Sequence, residues 1–222
     1  MNQDSIFFDY EGDNWFTRNK DKITKKRSVS SEDQVLKMLG EYSIKPRRIL
    51  EVGCSNGWRL NNLQKKYKAE CVGVEPSAEA VRDGKKRYPK LKLQRALASK
   101  MPIEGSFDLV IVSFVFHWIA RDGLLKSVSE IDRLVKNEGF LIISDFSPDV
   151  PTRVLYHHLP EKNVYTYKLD YPKIFTSTAI YTPVGRFTFS QDYDKLDAKV
   201  DSSGRGACTL LRKSLKSFSA GV

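Results

Sequence analysis

The sequence predicts an α/β fold built on a mostly parallel sheet, on three observations. Short apolar runs recur at Arg48–Val52, Glu70–Val74, Leu91–Gln94, Phe107–Ser113 and Gly139–Ser144. Segments with helical apolar spacing lie between them. The strongest run, Phe107-Asp-Leu-Val-Ile-Val-Ser113, is apolar at successive positions, as a strand covered on both faces must be. Strands alternating with helices imply a parallel sheet with helices on both sides, whose ligands bind beyond the carboxyl ends of the strands.

The elements follow in order. Residues 1–29 are polar and aromatic without clear period. Ser30-Ser31-Glu-Asp33 has the residues of a helix start, and Val35, Leu36 and Leu39 continue that helix until Gly40 and Pro46 close it. The first strand, Arg48–Val52, runs into Gly53-Cys-Ser-Asn-Gly57 and a helix from Trp58 to about Tyr67. After the second strand Ser77 caps a helix running toward Arg87, and a weaker third strand follows at Leu91–Gln94. Leu124, Leu125, Val128, Ile131, Leu134 and Val135 mark a helix over Arg121–Lys136, ahead of the fifth strand.

Composition narrows the class. The chain has 222 residues, enough for one large domain or two small ones, and shows no repeat, low-complexity tract or obvious linker. It is 41% hydrophobic and 29% charged, which argues against disorder. No run approaches the ~20 apolar residues of a membrane span. The N-terminus, MNQDSIFFDYEGD, is acidic where a signal peptide is basic. Three scattered cysteines, Cys54, Cys71 and Cys208, suit neither a disulfide framework nor a metal site. A cytoplasmic protein without metal is expected. Lysine and arginine exceed acids by 37 to 27, a net charge of +10. Short clusters such as Lys20–Arg27, Lys45–Arg48 and Lys85–Arg87 read as solvated surface, although a nucleotide, a phosphosugar or RNA would each satisfy such charge.

The loop after the first strand carries the chemistry. Glu51, one apolar residue and then Gly53-Cys54-Ser55-Asn56-Gly57 place a carboxylate beside a backbone free to turn sharply and approach a ligand. The following helix offers its N-terminal amides. A dinucleotide fingerprint would need a small residue at Trp58, and a P-loop would need Gly-Lys-Ser/Thr, so neither fits. Glu75 closes the second strand, 22 positions beyond Gly53, where an acid can take both ribose hydroxyls.

With these pieces the sequence resembles the class I S-adenosylmethionine-dependent methyltransferases. The resemblance rests on Ile49–Gly57, Val72-Gly-Val-Glu-Pro-Ser77, Gly105–Ser113 and Leu134–Ile143, in the family's order over roughly residues 35–146. It implies a Rossmann-like seven-stranded sheet, order 3-2-1-4-5-7-6 with strand seven antiparallel, and last strands near Arg186–Tyr193 and Arg205–Lys213. One methyltransferase domain would fill 1–222: a lid-like segment 1–29, a cofactor-binding core 30–146, a substrate cover 147–185 and the last strands in 186–222. S-adenosylmethionine would be the cofactor. Glu51, Gly53, Cys54, Ser55 and Gly57 would shape the pocket for its methionine end, Ser55 standing where the family has glycine. Glu75 would hold the ribose, Pro76 would lie beside the adenine, and Ser113 and Phe114 would face the methionine portion. Leu97 or Ala98 stands where an adenine-contacting Asp is usual. Arg18, on a lid, would meet the methionine carboxylate; packing of 1–29 on the core is the alternative.

Methyl transfer is an in-line displacement in which positioning supplies much of the rate. A hydroxyl acceptor also needs a base, and His117, just after the fourth strand, is the candidate; capping of the next helix is the alternative role. Tyr156, Tyr165, Tyr167, Tyr171, Phe175 and Tyr181, interleaved with Lys162, Lys168 and Lys173, suit a sugar or nucleotide-linked sugar, or stacked RNA bases. His157 and His158 are either substrate contacts or surface loop. O-methylation of a small molecule, in the loose likeness of surface-polysaccharide methyltransferases, is the first expectation. RNA or protein methylation is the second and a non-catalytic scaffold the third. The sequence carries no sign of oligomeric state.

Overall fold

The central strand β4 (Phe107–Ser113) shows how the sheet forms. Its side chains alternate between two apolar clusters: Val110 and Val112 join one, Leu109 and Ile111 the other, all fully buried. Each such side chain contributes about 1.5–3 kcal/mol on leaving water, so a slip of one residue would be heavily penalised. The computed structural model describes residues 2–26, 33–190, 195–196 and 201–216.

Beside β4 lie β1 (Arg48–Val52), β2 (Glu70–Glu75) and β3 (Lys92–Arg95) on one side, and β5 (Val135–Phe146) on the other, all parallel. A hairpin-containing insert precedes β8 (Tyr181–Ser190), the edge strand β9 (Lys195–Leu196) and β10 (Arg205–Lys213). The order is β3-β2-β1-β4-β5-β10-β8-β9, with β10 antiparallel to both its neighbours. The expected seven-stranded order is therefore present, with β8 and β10 as strands six and seven and β9 added at the edge.

Helices α3 (Gln34–Glu41), α4 (Trp58–Tyr67) and α5 (Ala78–Arg87) cover one face, and α6 (Leu124–Leu134) covers the other. Asp33 caps α3, its Oδ1 accepting from the Val35 and Leu36 amides at 3.0 Å; Ser30 and Ser31 lie outside the described residues. Ser77 caps α5 as expected, accepting from the Ala80 amide at 3.0 Å.

Several boundaries differ from expectation. The helix expected from Arg121 starts at Leu124, because the Arg121 guanidinium reaches back to the carbonyls of Phe116 and Ile119 and holds a turn there. Strand β5 starts at Val135, ahead of the expected Gly139. The ladder runs through an irregularity in which Glu138 takes a φ of +63°, so Asn137-Glu-Gly139 bulges within the strand without ending it. The strand expected from Arg186 starts at Tyr181, and residues 191–193 lie outside the described residues.

The N-terminal segment is helical over residues 3–26: α1 (Gln3–Ile6), a π-helical turn (Phe7–Glu11) and α2 (Gly12–Lys26). The insert holds the hairpin β6 (Thr152–Leu155) and β7 (Tyr165–Lys168) and the short helix α7 (Pro172–Thr176). Among the described residues no helix is long and apolar enough to cross a membrane.

Candidate active site

A cavity of about 790 Å³ opens at the carboxyl ends of β1, β2 and β4, within the size range usual for ligand sites. Its floor is the loop after β1. Gly53 and Gly57 adopt φ of +72° and +79°, and a Cβ on Gly53 would overlap Val115 Cγ2. Ser55 takes the same left-handed region at φ +52°, where a side chain is strained. Cys54 turns its thiol beneath the loop against Gly73, and burial pushes that thiol well above its ordinary pKa.

Glu51, the penultimate residue of β1, is almost wholly buried and ion-paired with Arg59 Nη1. Arg59 is a hub: its Nε donates to Asp33 at 2.9 Å and its Nη2 to Ser113 Oγ at 3.3 Å. Burial pushes the Glu51 carboxyl up to about 7; Arg59 opposes the shift and Asp33 adds to it. Burial also works against the Arg59 charge, but Asp33 and Glu51 outweigh it and hold its pKa above the ordinary value. Glu51 Oε2 and Ser55 Oγ are buried without a hydrogen-bond partner among the described residues.

At the end of β2, Glu75 accepts from the Ser55 amide at 2.8 Å and the Ser77 amide at 3.0 Å. Burial pushes its carboxyl up to about 7 against those two bonds, with Asp13 adding to the shift. Asp13 belongs to α2 and accepts from Ser77 Oγ at 2.6 Å and the Glu79 amide at 2.9 Å, which docks the N-terminal helix on this loop. Pro76, Leu97 and Ala98 line the adjoining wall.

At the end of β4, Ser113 and the following Phe114 line the cavity, Phe114 at φ +54° with its amide donating to the Ser144 carbonyl at 2.7 Å. His117 sits in a 3₁₀ turn (Phe116–Trp118), buried, with its ring edge-on to Phe146. Its Nδ1 lies 2.7 Å from Asp145 Oδ1 on the neighbouring strand.

The N-terminal helix and the insert form the remaining walls. Phe7, Trp15 and Lys22 line the cavity from one, and Tyr156, His157 and Lys168 from the other. Gln3 joins the two: its Nε2 donates to the Tyr165 carbonyl at 2.8 Å and its Oε1 accepts from the Tyr165 amide at 2.9 Å. Phe16 and Ile23 pack on Trp58 and Ala80, so the segment both packs on the core and covers the cavity.

Most residues singled out in the sequence come together here: Glu51, Gly53, Cys54, Ser55, Glu75, Pro76, Leu97, Ala98, Ser113, Phe114 and His117 all line the cavity. Gly57 lies behind them as the N-cap of α4. Arg18 is set apart. It pairs with buried Glu11 and donates to Tyr156 Oη at 2.8 Å, outside the cavity lining.

The aromatic cover also differs from expectation. Tyr171, Phe175 and Tyr181 are buried in the core, with Tyr171 stacked on Phe116 at 5.0 Å. Tyr165 and Tyr167 carry Arg153 and Arg121 on their faces. Of that set only Tyr156 and Lys168 line the cavity. His157 and His158 are exposed at its rim. Of the basic clusters, Arg48 pairs with Glu70 at 2.9 Å and Arg87 with Asp83 at 2.7 Å.

Sequence reasoning missed Arg59 and Asp145, and read Asp33 as a helix start without its pairing to Arg59. One signal for Arg59 was available: a cation in the first turn of a helix opposes the helix dipole, and so asks for carboxylates nearby.

Residues 50–143 match the sequence family described as a methyltransferase domain. A malonyl-[acyl-carrier protein] O-methyltransferase of Legionella pneumophila is 30% identical over 141 residues, covering 60% of this chain and 49% of that protein. A ubiquinone/menaquinone biosynthesis C-methyltransferase of Campylobacter jejuni is 23% identical over 118 residues, half of this chain and 49% of the relative. The chain thus spans about half the length, or less, of the malonyl-[acyl-carrier protein] O-methyltransferases it matches. Among solved structures, the Burkholderia thailandensis 1,6-didemethyltoxoflavin-N1-methyltransferase, with S-adenosylhomocysteine bound, superposes with a TM-score of 0.66 at 13% identity, covering 91% of this chain and 87% of that one. The N-methyltransferase NodS of Bradyrhizobium japonicum, also with S-adenosylhomocysteine, gives 0.59 at 14% identity, over 82% and 85%.

Proposed function

We propose that this protein, whose chain carries a class I S-adenosylmethionine-dependent methyltransferase domain, methylates a hydroxyl group of a small molecule. The observation that carries the reading is that His117 and the Glu51–Ser55–Glu75 floor stand in the walls of one cavity. When bound, S-adenosylmethionine supplies a methyl group on a sulfonium sulfur, an electrophile that needs no acid to activate it.

The residues present fit that cofactor. Glu51 Oε2 and Ser55 Oγ are buried polar atoms in want of partners, suited to the ammonium and carboxylate of a methionine end. Glu75, held by two backbone amides, would accept both hydroxyls of a ribose. Pro76, Leu97 and Ala98 would enclose the adenine, with backbone groups replacing the usual Asp, and Ser113 and Phe114 would bound the methionine portion. Arg18 has no part in cofactor binding in this reading, since Glu11 and Tyr156 hold it elsewhere.

His117 takes the acceptor proton. A small acceptor fits better than RNA or a folded protein, because the N-terminal helix and the insert wall the cavity on its outer side. Within that class a sugar or nucleotide-linked sugar is our preferred acceptor: Tyr156 would meet a sugar face, and Lys22 and Lys168 at the wall would suit attached phosphate.

The test is methyl-labelled S-adenosylmethionine incubated with the protein and an extract of its source cell, fractionated into small molecules, RNA and protein. Label in small anionic molecules that survives alkali supports an ether of a hydroxyl. Label released by alkali as methanol indicates an ester, as a carboxylate acceptor would give, and label in RNA or protein overturns the small-molecule reading. His117→Ala is expected to lower transfer about 10²–10⁴-fold.

A further inference from the structure

We infer that Asp145 is a positioning residue that fixes the tautomer of His117, so that its Nε2 presents a lone pair to a neutral hydroxyl acceptor. The inference rests on the proposed role of His117 as proton acceptor and adds the residue that makes the role possible.

Asp145 is the penultimate residue of β5 and almost wholly buried. Strand β5 pairs with β4 up to Ser113 and Ser144, so its next residue lies directly beneath the turn that carries His117. Three donors converge on the carboxylate. Oδ1 receives the Phe146 amide at 2.8 Å and stands 2.7 Å from His117 Nδ1, while Oδ2 receives the His117 amide at 3.4 Å. The carboxylate is thereby fixed with respect to both the backbone and the ring of the same histidine. An acceptor-only carboxylate at Nδ1 requires the proton of a neutral imidazole to reside there, which leaves Nε2 without one. Among the described residues Nε2 has no hydrogen-bond partner, while His117 is part of the cavity wall. Phe114, Phe146 and Trp118 surround the ring and hold its plane.

This arrangement selects acceptor chemistry. A carboxylate arrives already ionised, and a neutral amine attacks through a free lone pair, so neither needs a proton removed before the methyl is accepted. A hydroxyl does. Its O–H bond breaks, the proton passes to Nε2, and the oxygen pair left behind forms the new bond to the methyl carbon as the methyl–sulfur pair stays on sulfur. The resulting imidazolium is paired with Asp145.

The first measurement needs no variant. Long-range ¹H–¹⁵N spectra of the ¹⁵N-histidine-labelled wild-type protein, without cofactor, are expected to show neutral His117 protonated at Nδ1; a proton on Nε2 overturns the inference. In Asp145→Asn the side-chain amide can donate to Nδ1, so the proton is expected on Nε2. S-adenosylhomocysteine should still bind by calorimetry within about 3-fold of wild type, and label transfer into the small-molecule extract should fall about 10²–10⁴-fold. Adding Asp145→Asn to His117→Ala should change transfer less than about 2-fold, because the two act as one unit. A further large drop in the double variant, or an Asp145→Asn protein with wild-type tautomer and rate, overturns the inference. Wild-type protein that binds S-adenosylhomocysteine but transfers no label fails the functional reading instead, whatever the tautomer.

Discussion

The Tyr156 hydroxyl donates a 2.8 Å hydrogen bond to Glu11 Oε1, joining the insert to the N-terminal helix across 145 positions of sequence. Arg18 closes the triangle by donating to both. Two segments that wall the cavity are thereby held together by one buried carboxylate. Tyr156→Phe removes two bonds, the one donated to Glu11 and the one accepted from Arg18, and is expected to destabilise by about 1.5–3 kcal/mol in urea unfolding. It should also speed amide exchange in residues 3–26 relative to the sheet. Unchanged exchange there would mean that the triangle does not hold the cover.

Ser55 and Gly53 make predictions of opposite sign in one loop. Ser55 sits at φ +52° with a buried hydroxyl lacking a partner, so Ser55→Gly relieves strain and is expected to stabilise the ligand-free protein by about 1 kcal/mol. Gly53→Ala places a methyl group against Val115 at φ +72° and is expected to destabilise by about 1–3 kcal/mol and to abolish cofactor binding. Thermal unfolding with and without S-adenosylhomocysteine measures both.

These residues also show what was legible in the sequence. The β4 run, the glycine loop and Glu75 could be read because each depends on local backbone or on strand periodicity. The covering segments could not. Tyr171, Phe175 and Tyr181 have the composition of a stacking platform, yet they fill the space beneath the sheet, a choice made by tertiary packing alone. The helix over Gln3–Lys26 escaped the periodicity because its buried positions include Gln3 and Glu11, whose partners Tyr165 and Tyr156 lie far along the chain. Asp145 was hidden for the same reason. A single Asp at the end of an apolar strand acquires meaning only when the neighbouring strand brings His117 to it.

Glu75 ties stability to pH. Its carboxyl is pushed up to about 7 in the folded protein by burial, whereas an unfolded glutamate titrates at about 4.3. Between those values the folded form holds the proton more tightly than the unfolded one, so stability from this group is greatest at low pH and falls as pH rises toward 7. Glu51 acts in the same sense over the same range. The ligand-free protein should therefore lose stability between pH 5 and about 7.5, and Glu75→Gln should remove about half of that slope. The same variant should weaken S-adenosylhomocysteine binding about 10- to 100-fold, since an amide can accept only through its single oxygen. A slope unaffected by Glu75→Gln would assign the titration to other groups.

Arg59 joins the loop, the helix and the strand, and its removal should be the most damaging single change at the site. Its three nitrogens reach Asp33, Glu51 and Ser113 separately, a fork that lysine cannot reproduce. Both carboxylates are largely buried, at 8% and 2% side-chain exposure, so Arg59→Met strands two negative charges near one another. A loss of about 3–5 kcal/mol is expected. The pH dependence identifies the cause. Arg59 restrains the upward shift of the Glu51 carboxyl; without it that pKa rises further, and the stranded charge is relieved by protonation. The deficit of Arg59→Met against wild type should therefore be largest near pH 8 and shrink as pH falls through 7 toward 6. Adding Glu51→Gln should recover part of the loss at pH 8 and little at pH 6. A deficit that stays constant with pH would point to lost packing of the arginine stem rather than to uncompensated charge.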